Sequence, residues 1–181
     1  MNQIVHAKYD DIESLASLFA EGFMKDPLYC HYIPYERERP AILLQIFRKY
    51  LTDFWDELTV LQTEDGAGAM CICPSEAEGT NRMILPFSLE KVYAQINNVV
   101  APQFYDDFLT LDLLAVKPEK QGKGIGRTLV YVFLKIVGEA KKKGIIEIYN
   151  PDHLDFYQKL GFKLAHIQPI GETLSAYLLE G

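Results

Sequence analysis

The chain has few cysteines and no long apolar run. Its 181 residues include three cysteines, Cys30, Cys71 and Cys73. This odd, sparse set disfavours a disulfide framework. No His or Cys stands at metal-ligand spacing beside them, so we expect no metal site. No apolar run reaches the roughly 18 residues that span a bilayer, and the N-terminus shows no basic segment followed by an apolar one. These absences predict a cytoplasmic protein without membrane contact.

Basic residues are outnumbered by acidic ones. The chain has 18 Lys and Arg against 25 Asp and Glu, which gives a formal net charge of −7. Binding to nucleic acid depends on basic side chains that meet phosphates, so no nucleic acid partner is expected. An acidic protein can attract cationic small molecules, which fits an amine ligand.

Helical and strand-like hydrophobic periods alternate along the chain. Its length suits a single domain, residues 1–181. Residues 28–39 are predicted to be irregular, and Gly144 is predicted to cap the end of the longest helix. The helices are predicted at residues 10–23, 40–54, 86–99, 124–142 and 154–160. The strands are predicted at residues 3–7, 58–63, 67–73, 108–116, 145–149, 162–167 and 173–179. This order predicts an α/β or α+β domain with helices on the faces of a mixed sheet.

A glycine-rich turn joins the most strand-like stretch to the longest amphipathic helix. Its residues are Gln121, Gly122, Lys123, Gly124, Ile125 and Gly126, followed by Arg127. Glycines permit positive φ and close approach of the backbone to a ligand. The start of the next helix offers free N–H groups and a positive dipole end. Together these features favour a pyrophosphate site, with a purely structural turn as the alternative. The residue order excludes a P-loop, and the glycine spacing excludes the dinucleotide fingerprint.

Two segments resemble signatures of the GNAT superfamily of acetyl-CoA-dependent N-acetyltransferases. The turn fits Q/R-x-x-G-x-G/A at every constrained position. Residues 150–162 read NPDHLDFYQKLGF and resemble the second signature, N-x-x-A-x-x-F/L-Y-x-K-L-G-F, with His153 in place of the alanine. The resemblance covers residues 108–165. It implies a mixed, mostly antiparallel sheet with a central splayed pair of parallel strands, flanked by helices. Residues 1–100 would form the acceptor-side half, and residues 108–165 the acetyl-CoA-binding core.

The resemblance also implies where acetyl-CoA, the acetyl donor, would bind. Backbone groups of Leu114 and Val116, with Ala115 between them, would pair with the pantetheine arm as an added strand does. Backbone amides of residues 122–127 would hold the pyrophosphate. The remaining residues expected to contact the cofactor are Gln121, Lys123, Arg127, Asn150, His153, Phe156, Tyr157 and Lys159.

Transfer to an amine requires a base and benefits from an acid. The resemblance makes Tyr157 the general acid for the departing sulfur, with a plain core residue as the alternative. Asp112 is the first candidate base, because a carboxylate among apolar neighbours is costly without a task or a partner. Asp112 stands two residues before Leu114, which predicts that the two share one strand face. A salt-bridged strand residue is the alternative for Asp112, and Glu147 is a lesser candidate base.

Acceptor pockets in this family are usually built from the first helices and the loop between them. Here that region holds Phe23, Asp26, Tyr29 and Tyr32. Aromatic rings with a carboxylate suit a cationic amine, and packing of these residues on the core is the alternative. The expected function is transfer of an acetyl group to a primary amine of a small molecule. An acetyl-CoA sensor without turnover and a protein or peptide acetyltransferase are the alternatives. Edge strands near the C-terminus would permit a homodimer.

Overall fold

A computed structural model describes residues 3–74, 107–170 and 172–181. The strands of these residues are β1 (Ile4–His6), β2 (Thr59–Thr63), β3 (Gly68–Pro74), β4 (Phe108–Val116), β5 (Lys143–Ile148), β6 (Lys163–Ile170) and β7 (Leu174–Glu180). They form one sheet in the order β1-β2-β3-β4-β5-β7-β6. Among these described strands only β4 and β5 pair in parallel, and the other neighbours are antiparallel. The expected mixed, mostly antiparallel sheet is confirmed. The helix predicted at residues 86–99 and the boundary near residue 100 lie outside the described residues.

Helices cover both faces of this sheet. They are α1 (Ile12–Gly22), α2 (Pro27–Tyr32), α3 (Arg39–Phe54), α4 (Ile125–Ala140) and α5 (Leu154–Gln158). One core lies between the sheet and helices α1 to α3, and it includes Phe19 and Phe47. A second core lies on the opposite face under α4 and α5, and it includes Leu129 and Phe133. None of the helices in the described part of the chain is long and apolar enough to cross a bilayer.

Two local predictions were wrong. Residues 28–39 were expected to be irregular, but they include α2. The Asp26 side chain accepts the Leu28 amide at 2.9 Å, and Pro27 occupies the first helical position, which are favourable features for a helix start. Gly144 does not cap α4, because Lys141 takes the left-handed conformation there, with a φ of 57°. Gly144 instead lies in β5, where a β-carbon would come within 3.1 Å of the Phe133 ring.

A bulge interrupts β4 near the centre of the sheet. Ile72 of β3 is opposite Leu111, and Cys71 is opposite Leu113, so Asp112 is an extra residue in β4. The bulge changes which side chains face which helices. Leu111 packs in the core under α4, whereas Leu113 packs in the core under α1 and α3.

Candidate active site

The ladder between β4 and β5 ends in the middle of the sheet. Its last pair is Leu111 with Ile146, whereas β4 continues along β3 to Val116. The Lys117 amide donates to the Ala67 carbonyl at 2.9 Å. This bond joins the residues next to Gly68 and Val116, which the pairing of β3 and β4 places opposite each other. In an antiparallel ladder, two opposite residues whose neighbours are bonded in this way do not exchange hydrogen bonds themselves.

The backbone polar groups of Val116 consequently point away from β3, into the gap between β4 and β5. By the alternation of the ladder, those of Leu114 do the same. The Val116 carbonyl accepts the Gln121 side-chain amide at 3.1 Å, which ties the glycine turn to the end of β4. The Val116 N–H and both polar groups of Leu114 face the gap, as an extended ligand beside β4 requires.

The glycine turn has an open backbone that fits an anion. Gly122 and Gly124 have φ values of 73° and 82°, which residues with a side chain rarely adopt. A β-carbon added at either glycine would have no heavy atom within 4 Å. Gly124 begins α4 without a side-chain cap. The Thr128 amide donates to the Gly124 carbonyl at 3.0 Å, which is the first hydrogen bond of α4. The backbone amides that precede Thr128 in this first turn therefore have no acceptor within the helix. These free N–H groups suit a pyrophosphate.

The basic side chains near the turn differ in their partners. Lys123 donates to the Glu119 carbonyl at 3.1 Å. Lys159 pairs with Asp155 at 2.5 Å, one helical turn away. Arg127 is exposed. Lys123 and Lys159 would have to leave these partners to bind phosphates.

The second signature lies against the glycine turn. A β-carbon on Gly126 would lie 3.7 Å from the Phe156 ring and 3.8 Å from Val116. Asn150 accepts the Asp152 amide at 3.0 Å through its side-chain oxygen, which leaves its side-chain NH2 group for a ligand. His153 is exposed beside Asn150. The two motifs, separated in sequence, therefore meet at one end of the gap.

Tyr157 is buried on α5. Its ring makes edge contacts with Phe156 and Phe162, at centroid distances of 4.9 and 5.9 Å. Burial raises the pKa of the Tyr157 hydroxyl, so this group stays protonated at neutral pH. The packing fits a core residue, and the hydroxyl carries the proton that a general acid must have, although its raised pKa makes it a weaker acid than an exposed tyrosine.

Asp112 faces α3 rather than α4. The Tyr50 hydroxyl donates to Asp112 at 2.7 Å. Leu114 packs against the core under α4, on the other face of the sheet. The prediction that Asp112 and Leu114 share a face was wrong, because the bulge at Asp112 breaks the alternation. Tyr50 was not identified from the sequence as a site residue, since it fits the apolar stripe of α3 and carries no other signal.

Glu147 lies on β5 next to Asp112. Its neighbours Ile146 and Ile148 pack under α4, so the Glu147 carboxylate points to the opposite face, as Asp112 does. The Tyr149 hydroxyl donates to Glu147. Burial raises the pKa of Glu147 to about 7, the Tyr149 hydrogen bond opposes that rise, and the charge of Asp112 adds to it. The group therefore titrates near neutral pH.

The four residues predicted to bind the acceptor lie at α2 and at the end of α1. The Phe23 ring is tilted against Phe47 at a centroid distance of 5.4 Å, and Tyr29 makes edge contacts with Phe47 and Phe23 at 5.7 and 5.9 Å. Asp26 caps α2, and burial raises its pKa to about 6. Tyr32 is half-buried, and its ring makes an edge contact with His31. The sequence placed these residues in one region, and each has a packing or capping role there. In the described part of the chain, no three His, Cys, Asp or Glu side chains are grouped to hold a metal ion.

Comparisons with known proteins agree with this geometry. Residues 88–164 match the family model described as Acetyltransferase (GNAT) domain. No curated protein sequence matches the chain closely enough to serve as a relative.

Three solved structures illustrate the similarity of fold. The C-terminal condensation domain of Ebony in complex with beta-alanyl-dopamine has a TM-score of 0.78 and 11% identity, over 100% of this chain and 99% of that one. The PaiA N-acetyltransferase from Thermoplasma acidophilum in complex with coenzyme A has a TM-score of 0.63 and 17% identity, over 99% and 98%. The ribosomal-protein-S18-alanine N-acetyltransferase from Escherichia coli has a TM-score of 0.60 and 16% identity, over 99% and 92%. At these identities the likeness shows the fold alone.

Proposed function

Since residues 88–164 carry an acetyltransferase (GNAT) domain, we propose that the chain transfers an acetyl group from acetyl-CoA to a primary amine of a small molecule. The family match confirms the acetyltransferase class that the sequence predicted. One observation carries the rest of the proposal: the glycine turn at the start of α4 meets Phe156 beside the gap between β4 and β5. The two signatures thus contribute to one site.

The donor would lie along the gap with its diphosphate at the turn. Backbone groups of Leu114 and Val116 bind the pantetheine arm, and Ala115 stays bonded to β3. The amides of residues 122–127 bind the pyrophosphate, and Gln121 holds the turn against β4. A structure of a PaiA N-acetyltransferase with the same fold contains coenzyme A, which supports an acyl-CoA as the donor. Around the donor we place Lys123, Arg127, Asn150, His153, Phe156, Tyr157 and Lys159.

Acetyl transfer to an amine moves two protons. The acetyl donor supplies a thioester, whose carbonyl carbon accepts the amine nitrogen and whose sulfur departs. The Val116 N–H points into the gap and would stabilise negative charge on the carbonyl oxygen. Tyr157, which stays protonated, gives a proton to the departing sulfur. Asp112 and Glu147 are the carboxylates beside the gap that can take the proton from the amine.

The acceptor would approach from the face that carries α1, α2 and α3. Asp112 and Glu147 both point to that face, and their charges favour a cationic amine. Phe23, Asp26, Tyr29 and Tyr32 lie on α2 and at the end of α1 on the same side, where Phe23 and Tyr32 are half-buried and Tyr29 is buried. The Ebony domain, which has the same fold, was solved in complex with beta-alanyl-dopamine, which supports a small acceptor.

A thiol-release assay tests this function. The purified chain is incubated with acetyl-CoA and a panel of polyamines, aromatic amines, amino acids and peptides, and free thiol is measured. We expect release with a small amine. Release with peptides alone would favour the protein acetyltransferase. Saturable acetyl-CoA binding without release for any acceptor would favour a sensor.

A homodimer through β6 is a further part of this proposal. β6 forms one edge of the sheet in the described ranges, and its Leu164 and Ile167 are exposed. An exposed apolar edge strand is a template for pairing with a second copy. Light scattering of the wild type and of Ile167→Lys would measure the mass, and a monomeric wild type would contradict the dimer.

A further inference from the structure

Two carboxylates face each other where the parallel ladder ends. Leu111 and Ile146 are the last paired residues, so Asp112 and Glu147 are the next residues on the two strands. Both carboxylates point to the face that carries α3. The sequence favoured Asp112 as the base, but the surroundings of the two groups differ.

Asp112 is held by its neighbours. The Tyr50 hydroxyl donates to it at 2.7 Å, and Tyr50 is itself buried in the core under α3. The bulge fixes the backbone at Asp112 between two residues paired with β3. Burial raises the pKa of the Cys71 thiol on β3, and the charge of nearby Asp112 raises it further. The Asp112 side chain is thus held in place on the strand.

Glu147 has a different set of neighbours. On β5 the Tyr149 hydroxyl donates to it. From β4 it faces the charge of Asp112, and from β7 it faces Leu178, an apolar residue. Tyr50 of α3 is linked to Glu147 through Asp112, which accepts the Tyr50 hydrogen bond. Glu147 lies on the strand that departs from β4, so its carboxylate borders the gap in which the thioester would lie.

We infer that Glu147, rather than Asp112, takes the proton from the attacking amine, and that Asp112 is a positioning residue that acts on Glu147 through its charge. The inference rests on the proposed function and extends it. The acceptor binds as an ammonium ion beside the two carboxylates. One ammonium proton passes to Glu147, and the nitrogen lone pair forms the bond to the acetyl carbon.

The carbon–sulfur bond then breaks, and the electron pair leaves with the sulfur. The sulfur receives one proton, the new amide nitrogen loses one, and Glu147 later returns its proton to solvent. The net products are the N-acetyl amine, free thiol and one proton. A base that titrates at about pH 7 is well matched to this task near neutral pH.

The pH dependence of kcat tests the inference, because two substitutions should move it in opposite directions. In the wild type we expect kcat to rise with pH and level off above about 7, as Glu147 loses its proton. Asp112→Asn removes the charge that raises the pKa of Glu147, so the rise should move to lower pH. Tyr149→Phe removes the hydrogen bond that lowers this pKa, so the rise should move to higher pH.

Glu147→Gln should lower kcat about 100-fold or more at pH 7.5, with the KM for acetyl-CoA unchanged. Its residual rate should climb about tenfold per pH unit toward the amine pKa of about 10, because the amine must then deprotonate in solution. Glu13→Gln, an exposed carboxylate on α1 that pairs with Arg48, is the matched control and should keep the wild-type profile. Circular dichroism verifies the fold of each variant.

The assignment of Glu147 would be overturned by full kcat in Glu147→Gln. It would also be overturned if the pH profiles of Asp112→Asn and Tyr149→Phe moved in the same direction. In either case, acetyl transfer by the wild type would still uphold the proposed function. A wild type that acetylates no amine would overturn the proposed function and the assignment together.

Discussion

Replacing Glu147 by glutamine should stabilise the fold in alkaline solution. The pKa of Glu147 is about 7 in the folded chain, and its ordinary value is 4.5. Below pH 4.5 the group is protonated in both states, so its ionisation does not affect stability. As pH rises from 4.5 through about 7, the unfolded chain ionises first and the folded state loses stability.

The magnitude follows from this difference in pKa. If Glu147 were fully buried, its ionisation would lower the free energy of unfolding by about 3 kcal/mol above pH 8. Glu147 is half-buried, and screening by water reduces the loss to about 2 kcal/mol. Glutamine has the same shape, cannot ionise, and can donate an amide hydrogen to Asp112. We therefore expect Glu147→Gln to gain about 2 kcal/mol in the free energy of unfolding at pH 8 and much less at pH 5.

Urea denaturation at pH 8 and pH 5, followed by circular dichroism, measures this gain by linear extrapolation. Glu13→Gln is a control with the opposite sign, because the hydrogen bond from Arg48 lowers the pKa of Glu13 and its loss should slightly destabilise the protein at pH 8. Equal effects of Glu147→Gln at both pH values, or destabilisation at pH 8, would refute the argument from burial and charge.

Three other substitutions, one of them with a matched control, test the site and its support. Tyr157→Phe should lower kcat about tenfold or more while the Kd for acetyl-CoA stays unchanged in calorimetry, and unchanged turnover with every amine would remove the role of general acid. Gly124→Ala should weaken acetyl-CoA binding and lower the stability of the fold, because the φ of Gly124 is 82°. Gly138→Ala, on the exposed face of α4, is its control and should stabilise the fold by about 0.5–1 kcal/mol with the affinity for acetyl-CoA unchanged. Gly22→Ala would place a β-carbon 2.7 Å from that of Ala115, so thermal unfolding should show a loss of about 1–3 kcal/mol, and an unchanged Tm would contradict the close packing of α1 on β4.

Much of the fold follows from local patterns. The apolar stripe of α3 predicted its buried face, and β4 begins and ends where its strand-like composition predicted. The turn between β2 and β3 contains Asp65-Gly66, a pair typical of hairpin turns, and Gly66 has a φ of 63°. These features depend on neighbours in sequence, so the sequence alone reveals them.

The parts that were missed depend on contacts between distant residues. The bulge at Asp112 is defined by pairing with β3, and no local pattern marks it. It puts Leu113 rather than Leu114 on the face of Asp112, which there accepts a hydrogen bond from Tyr50, 62 positions away in the chain. Glu147 gained its perturbed pKa from the same long-range packing. The residues proposed for the donor side stand in motifs that are continuous in sequence, whereas those proposed for the acceptor side come from several elements.

Transfer of a labelled acetyl group tests the central claim most directly. The chain is incubated with acetyl-CoA carrying 13C in the acetyl group and with the amine that gives the largest thiol release, and the products are analysed by mass spectrometry and NMR. We predict a labelled amide on the amine nitrogen and one free thiol for each amide formed. Saturable acetyl-CoA binding without labelled amide on any amine would contradict the account.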